Sequence, residues 1–559
     1  MQNSCTSVVN KVVVVGGVAG GASAATRLRR ICEKVNIVLF EKGKNPSFAN
    51  CGMPYYLGGQ IASRDSLIVT GVDTLRKRYN IDLRIETEVL AIDRAQKQVL
   101  CKTPLREYSE SYDKLILSTG AEPIIPPLEG VKNPNIHILR SLEDMDRIKQ
   151  HVKPGKRCVI IGAGFIGCEV AEAVTHAGVK VSIIELLDQV MPPMDKEMVT
   201  PLQNDYRSNG VDLLLQEKCV KFSEGENGSV NVHLESGKIV NADFVLLSVG
   251  VKPENKLAVE SGLQVGPRGG IVVNEHCQTS DPDIYACGDN TEIEDFVLKN
   301  RTQVPLAGIA NRQGRICVNH IFGKTPDSFR GAQGTSIMGG FNYTVASTGA
   351  SEKSLQRAGY TSYDKVYTPI NDHAGYYPGA KRMIIKLIFD TSKERYGKIL
   401  GCQIVGEHNG IANRINAVAM AIQAGMTVFD LEESELAYSP QYGSAKDPVN
   451  MIGFIASGVL RGEQRMVQIP QVLANRSDYY LVDVRTPKEW QSGHFEDAVH
   501  IPIDDLRNRL SELPKDKKIV TYCRIGMRGY MAQRILNENG FDNVLNLAGG
   551  FETYERLYK

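Results

Sequence analysis

The chain has 559 residues, with 65 basic against 64 acidic side chains: enough length for several domains, and no net field to favour nucleic acid or an anionic membrane. No apolar run approaches the roughly 20 residues that span a bilayer, and Met1 to Asn10 lacks the cationic and apolar regions of a secretory signal. The 12 cysteines show neither C-x-x-C pairs nor metal spacing, so the expectation is a reduced, cytoplasmic protein with no metal site.

From Lys11 the pattern is an apolar strand (Val12 to Val15), a glycine turn, a small-residue helix (Ala22 to Arg30) and a second strand (Val35 to Phe40) ending at Glu41. Such a turn lets a helix N-terminus approach a pyrophosphate, and Glu41, 20 residues after Gly21, can accept from a ribose hydroxyl. Gly16, Gly20 and Gly21 are in place, but Val18 stands where the second fingerprint glycine belongs, so this turn alone also fits simple helix packing. Just beyond it, Ser47-Phe48-Ala49-Asn50-Cys51-Gly52-Met53-Pro54 sets a cysteine among small residues before a Gly-x-Pro break, where a flavin-facing thiol is expected. The next cysteine is Cys101. Cys51 therefore cycles against an oxidised form of itself or a small thiol held beside it; the plain alternative is a buried structural cysteine.

The same unit returns later. Arg157 to Ile161 is a strand, Gly162-Ala163-Gly164-Phe165-Ile166-Gly167 is a complete G-x-G-x-x-G opening a helix, and Val179 to Ile184 is a strand ending at Glu185. An acid there favours the free 2′-hydroxyl of NAD and repels a 2′-phosphate, so NADH is expected rather than NADPH, with a solvated strand end as the alternative. Tyr112 to Gly120 reads as a buried strand, and Asp283 to Asp289 as another that ends in an acid.

In this order Gly16, Glu41, Gly120, Gly162, Gly164, Gly167 and Asp289 form a set that resembles the FAD- and NAD(P)-dependent pyridine nucleotide-disulfide oxidoreductases, as far as about residue 455. The resemblance implies an α/β fold with two Rossmann-like dinucleotide-binding domains. An FAD-binding domain (1–120 and 255–330) is interrupted by an NAD-binding domain (121–254), and an α+β dimerisation domain (331–455) follows, with strands over 340–349 and 383–389 and a helix over 410–424. It also implies a homodimer whose active sites are each completed by the neighbouring subunit. FAD would lie against Gly16, Gly20, Gly21, Glu41, Lys42, Gly120 and Asp289, with the helix after Asp289 facing the isoalloxazine; NADH would lie against Gly162, Gly164, Phe165, Gly167 and Glu185.

Three features sort the single-cysteine members. Ala19 stands where peroxidase-type enzymes carry a histidine, Ser47 to Cys51 is similar to the S-F-A-N-C signature of coenzyme A-disulfide reductases, and His373 to Gly379 and Ala437 to Pro448 look like that group's two tyrosine-bearing segments. This implies Tyr376 and Tyr438 as acids that protonate a departing thiolate from the other subunit, the alternative being amphipathic tyrosines at a dimer seam. It places Ser23, Arg27, Arg30, Ser47, Asn50, Asn311 and Lys446 along the path of coenzyme A (CoA), the basic side chains suiting its phosphates; Arg27 and Arg30 also fit a solvated helix face. Asn311 and Tyr79 replace a histidine and a lysine of that path, so substrate handling is expected to differ.

The polar run Arg461 to Arg465 marks a linker (456–467) to a further α/β pattern: a strand (Tyr480 to Arg485), a short helix and turn (Glu489 to Gly493), a strand (Ile519 to Tyr522) running into Cys523-Arg524-Ile525-Gly526-Met527-Arg528, and a helix (Tyr530 to Asn537). A cysteine in a nest of backbone N–H groups at a helix N-terminus is a site that lowers a thiol's pKa and stabilises a persulfide anion. Residues 468–559, with D-V-R at Asp483, G-H at Gly493 and this C-R-x-G-x-R loop, resemble rhodanese sulfurtransferase domains. The resemblance implies a loop sized for sulfur and lined by Arg524, Gly526 and Arg528, with the arginines attracting an anionic donor and with His494 and His500 in structural positions. Together the two parts resemble CoA-disulfide reductase/rhodanese fusions that reduce persulfides or polysulfides with NADH. Small sulfur compounds are then the substrates, Cys523 passing sulfane sulfur to CoA and Cys51 expelling sulfide. The alternatives are CoA-disulfide reduction with the rhodanese part as an accessory, NADH oxidation in air, and a non-catalytic sulfur sensor.

Overall fold

A computed structural model describes residues 9–323, 328–407 and 410–559, so most of the stretch read for a signal lies outside the described residues. Two compact units divide the chain: Met1–Asp188 with Gly210–Gly334, and Gln189–Asn209 with Thr335–Lys559.

The first unit is a structural duplicate. Strand β1 (Lys11–Val15), helix α1 (Ala19–Ile31), strand β2 (Asn36–Phe40) and strand β3 (Lys114–Leu117) recur as β4 (Arg157–Ile161), α2 (Phe165–His176), β5 (Lys180–Glu185) and the strand Phe244–Leu247. The first sheet runs Ile284–Ala286, β3, β1, β2, Asp82–Arg84; the second runs Ile136–His137, Phe244–Leu247, β4, β5, Asp212–Leu215. Every neighbouring pair in both is parallel. Unbroken runs such as Val12 to Val15, buried from end to end, suit a sheet covered on both faces. Helix α1 begins one turn earlier than the residue pattern predicts, because Val18 already accepts from the Ala22 N–H (2.9 Å). Asp289 is followed not by a helix but by the strand Thr291–Glu294; the helix expected there is α3 (Ala307–Ile321).

In the second unit an antiparallel sheet runs Ser336–Gly339, Thr344–Gly349, Ile399–Gly406, β6 (Arg382–Asp390), Tyr363–Asn371. A parallel sheet follows in the order Met466–Val467, Val544–Leu547, β7 (Lys518–Tyr522), Tyr479–Asp483, Val499–His500, with helices α4 (Met527–Glu538) and α5 (Gly550–Thr553). The strand predicted over 340–349 starts at Thr344. The linker is shorter than 456–467. Helix Pro448–Leu460 continues through its first part and Met466–Val467 is already an edge strand, which leaves Arg461 to Arg465. Residues 189–209, which fall inside the expected NAD-binding segment, group with the second unit. Asp205 accepts from the Asn342 N–H (2.8 Å) and amide (2.7 Å), and Gly340 leaves room for Leu202 and Tyr206. Cys51, Cys101, Cys158, Cys168, Cys219, Cys277, Cys287, Cys317, Cys402 and Cys523 are free thiols.

Lys386, on β6, is wholly buried. Its ammonium donates to Asp195 (2.7 Å), Glu352 (2.6 Å) and Glu197, and Glu197 also accepts from the Tyr367 hydroxyl (2.9 Å). The three carboxylates hold the Lys386 ammonium well above its usual pKa despite burial, and Lys386 in turn holds Asp195 below the carboxylate range. Lys386→Met leaves buried acids without their cation. We expect a loss of about 3–5 kcal/mol in urea unfolding, partly restored by adding Glu352→Gln; an unchanged midpoint would show the cluster to be energetically idle.

Candidate active site

The two glycine turns share one construction. Gly16 (φ 97°) and Gly162 (φ 102°) sit in the left-handed region, where a side chain is strained. A Cβ on Gly21 would lie 1.8 Å from the Gly16 carbonyl oxygen, and one on Gly167 would lie 2.1 Å from that of Gly162. Val18, at the missing glycine, has a negative φ of −94°, so the position does not call for the left-handed backbone that favours glycine. Helices α1 and α2 carry no side-chain N-cap and no acid in their first turns, so both N-termini keep free N–H groups for an anion. Each strand-end acid is tied the same way: Glu41 accepts from Gly17 N (2.8 Å) and Gly43 N (2.7 Å), Glu185 from Ala163 N (2.7 Å) and Leu187 N (2.9 Å). Gly120 (φ 75°) lies in the turn after β3, beside Arg140, and Lys42 lies 4.0 Å from Glu122. Burial raises the half-buried Asp289 carboxyl. Uncapped helix ends beside side-chain-free turns fit the pyrophosphates of FAD and a nicotinamide dinucleotide.

The loop that bears Cys51 hangs from the first turn. Ser47, at φ 49°, donates its N–H to Gly17 O (2.8 Å), and its own carbonyl accepts from Val69 N (2.8 Å). Asn50 Oδ1 accepts from Cys51 N (3.1 Å) and lies 3.7 Å from Sγ. The short helix Met53–Gly58 then packs on α2 so closely that a Cβ on Gly58 would lie 2.6 Å from Ala173 O. Cys51 is exposed, whereas the other described cysteines are buried. Desolvation first, then the carboxylates of Glu169 and Asp289, raise its thiol pKa. Glu169, on α2, is itself pushed up to about 7 by burial and by Glu172, and Tyr55 is raised to about 12 by burial and the same two acids. Sequence reasoning passed over Glu169; its only signal is an acid two residues after the fingerprint, with a second acid, Glu172, three residues on along the same helix.

Some of the expected CoA-path residues do come together. Ser23 Oγ donates to Asn311 Oδ1 (2.5 Å) across the seam of α1 and α3, which close on each other where Gly314 meets the Gly20 carbonyl. Arg27 donates through Nε (3.0 Å) and Nη2 (2.9 Å) to Asn319, and Arg30 lies exposed near the end of the same helix. In the second unit Tyr376 and Tyr438, 77% and 49% exposed, join hydroxyl to hydroxyl at 2.9 Å, which raises the Tyr376 pKa. Buried Arg414 fastens their two segments, donating to Asp372 O (2.8 Å), Tyr442 O (3.3 Å) and Asp447 (2.7 Å); Lys446 is exposed beside Asp447.

Cys523 ends β7, 1% exposed, its sulfur accepting from Gly526 N–H (3.2 Å). The last two residues of the predicted loop, Met527 and Arg528, are already helical in α4. Phe551 N donates to Cys523 O (2.8 Å) and Glu552 N to Arg524 O (2.9 Å), so α5 takes the loop's carbonyls on its own N–H groups. Gly549 and Gly550 both have positive φ, and a Cβ on Gly550 would lie 2.7 Å from Cys523 O. Arg528 grips Glu489 with two bonds (2.8 and 2.6 Å) and holds that carboxyl down to about 2; Glu489 also completes a capping box with Thr486. Trp490 stacks between His494 and His500, whose Nε2 meets Arg485 O at 2.9 Å.

The comparisons agree with this architecture. Residues 10–314 match the family described as pyridine nucleotide-disulphide oxidoreductase, 338–447 its dimerisation domain and 469–557 the rhodanese-like domain. The chain belongs to the pyridine nucleotide-disulphide oxidoreductase family, whose members use FAD and NAD(P)H. Within it, this chain is an oxidoreductase–rhodanese fusion. It is 33% identical over 450 residues to a coenzyme A disulfide reductase of Staphylococcus aureus, covering 80% of this chain and 99% of the relative. It superposes on reduced Bacillus anthracis CoADR-RHD with a TM-score of 0.93 (44% identity; 98% of each chain) and on a NAD-dependent persulfide reductase from A. fulgidus with 0.90 (37%; 97% and 100%). Among the described residues no helix is long and apolar enough to cross a membrane.

Two outcomes follow. Removing the Glu169 charge lowers the Cys51 pKa, so Glu169→Gln is expected to raise the rate of Cys51 alkylation at pH 8 about threefold and to leave it unchanged at pH 5, where Glu169 is already neutral. The folded chain keeps this proton up to about pH 7 while the unfolded chain releases it near the ordinary value of 4.5; stability therefore falls as pH rises through that window, and the substitution abolishes that fall. Separately, Gly550→Ala is expected to cost at least about tenfold in sulfur transfer while NADH still bleaches the flavin.

Proposed function

We propose that this protein reduces persulfides and polysulfides, CoA persulfide among them, with NADH and releases sulfide. One observation carries the reading: a single chain holds an exposed thiol, Cys51, with no neighbouring cysteine in its loop, and a second thiol, Cys523, set in a loop that offers N–H to sulfur. At Cys523 the thiolate attacks the outer sulfur of a donor. The new Sγ–S bond forms as the donor's S–S bond breaks, and the donor leaves as a thiolate. CoA thiolate then takes that outer sulfur and restores Cys523. Arg524 and Arg528 draw in the anionic donor, and the loop N–H groups hold the terminal sulfur's charge.

At the reductase centre the Cys51 thiolate attacks the inner sulfur of CoA persulfide. The terminal S–S bond breaks, hydrosulfide departs with a proton from the Tyr376–Tyr438 pair of the neighbouring subunit of a homodimer, and a Cys51–CoA disulfide remains. Ser23, Arg27, Arg30, Ser47, Asn50, Asn311 and Lys446 hold the CoA moiety. Gly16, Gly20, Gly21, Glu41, Lys42, Gly120 and Asp289 would hold FAD, which when bound would supply the two-electron relay from NADH to that disulfide. Gly162, Gly164, Phe165 and Gly167 seat the nicotinamide dinucleotide, and Glu185 selects NADH by repelling a 2′-phosphate. In sum, NADH, CoA persulfide and a proton give NAD⁺, CoA and hydrogen sulfide.

The test is anaerobic NADH oxidation with sulfide assay, offering polysulfide, CoA persulfide and CoA disulfide in parallel. Cys51→Ser is expected to abolish both signals, and Cys523→Ser to lose about a hundredfold on polysulfide while retaining turnover of CoA persulfide. Turnover of CoA disulfide alone, with no sulfide, would replace this reading by CoA-disulfide reduction, the activity in the name of the relative that aligns over 80% of this chain.

A further inference from the structure

Glu552 is the most heavily engaged carboxylate near Cys523, and nothing in the sequence pattern marks it. It is 3% exposed, and three guanidinium groups converge on it. Arg382 donates through Nε to Oε1 (2.8 Å) and through Nη2 to Oε2 (2.9 Å), Arg524 donates Nε to Oε2 (2.9 Å), and Arg556 lies 3.3 Å from Oε1. These partners hold the carboxyl below its ordinary pKa even though burial works the other way. Glu552 also grasps residue 524 by its backbone, through Glu552 N to Arg524 O (2.9 Å). The residue after Cys523 is therefore held at both its carbonyl and its side chain by one partner.

One of these three partners, Arg382, comes from outside the rhodanese fold. Arg382 opens β6 of the antiparallel sheet, and its third nitrogen, Nη1, donates to Asn371 Oδ1 (2.9 Å), its register partner across the sheet. All three nitrogens of this guanidinium are thus committed, which fixes its plane and, through two parallel bonds, the plane of the Glu552 carboxylate. Oε2, shared by Arg382 and Arg524, then fixes the Nε edge of Arg524. Arg524 remains 59% exposed, so its outer nitrogens face the solvent from which a donor arrives.

We infer that Arg382 and Glu552 are positioning residues for sulfur transfer: a side chain of the dimerisation domain's antiparallel sheet sets the angle at which Arg524 meets an anionic sulfane donor. The inference rests on the reading of Cys523 given above and adds that the sulfurtransferase loop is incomplete without the antiparallel sheet. Neither residue touches the transferred sulfur.

The test uses the full-length holoenzyme and its Arg382→Gln, Glu552→Gln, doubly substituted and Arg382→Lys forms. Sulfur transfer to cyanide is measured from thiosulfate, a dianion, and from an uncharged organic trisulfide, with anaerobic flavin bleaching by NADH and the thermal midpoint as controls. Each single substitution is expected to raise the KM for thiosulfate about tenfold with kcat changed less, to leave the KM for the trisulfide within about twofold, and to leave bleaching unchanged. The double variant should be no worse than Glu552→Gln alone, because both act through one carboxylate, and Arg382→Lys should recover part of the loss. Equal losses on both donors, or single losses that multiply in the double variant, would overturn the inference; so would an unchanged KM in Arg382→Gln or, if that form does not fold, in Arg382→Lys. A wild-type enzyme that transfers sulfur from neither donor would instead remove the reading of Cys523 itself, and this inference with it.

Discussion

A helix that starts directly on the end of a strand has to bring its backbone against the strand's last carbonyl, and at residues 21 and 167 there is no room there for even a methyl group. That shortage of space produces uncapped helix N-termini pointed at open turns, twice over. It also fixes the start of the next loop. Gly17, in the middle of the first turn, offers its carbonyl to Ser47, and from Ser47 the chain passes through Asn50 to Cys51. Cys51 is thus placed by the same glycine geometry that opens the first turn, and the short helix after it is pressed onto the second dinucleotide fold at Gly58.

The two thiols live in opposite surroundings. Cys51 is exposed and faces carboxylates, so its resting chemistry leans toward the neutral thiol. Cys523 is buried, and its sulfur is met by a backbone N–H while the carbonyls of its loop are turned away into α5. One site presents its thiol to solvent beside acids, and the other meets a buried sulfur with a backbone N–H.

The repeat, the acids at the strand ends and the Cys523 loop were legible because each rests on spacing within a few residues of chain. The fold class followed from the same signals. What remained hidden depends on distant partners. Glu169 draws its character from burial and Glu172, Arg414 joins two tyrosine segments that the chain order separates, and Glu552 gains its meaning from Arg382, 170 residues away. Boundaries erred for local reasons. The polar run at Arg461 hid the fact that the helix before it continues to Leu460, and helix Lys196–Ser208 looked like part of the NAD-binding segment because nothing in its sequence says that Leu202 and Tyr206 are received beside Gly340. Val18 reads as a defect in a fingerprint, yet its φ is negative and needs no glycine.

Lys386 and its acids have a further neighbour. The hydroxyl of Tyr558, carried on the rhodanese part, bonds to Tyr367 on the antiparallel sheet, and Tyr367 in turn bonds to Glu197 of the buried charge cluster. The seam between these two parts is therefore closed by aromatic side chains over ions, as the inside of one domain would be. Evolution by cassette exchange works when a module can be lifted out and leave a wettable surface behind. Here, removal would open a buried lysine and its carboxylates to water, so this module could not be lifted out and leave a wettable surface.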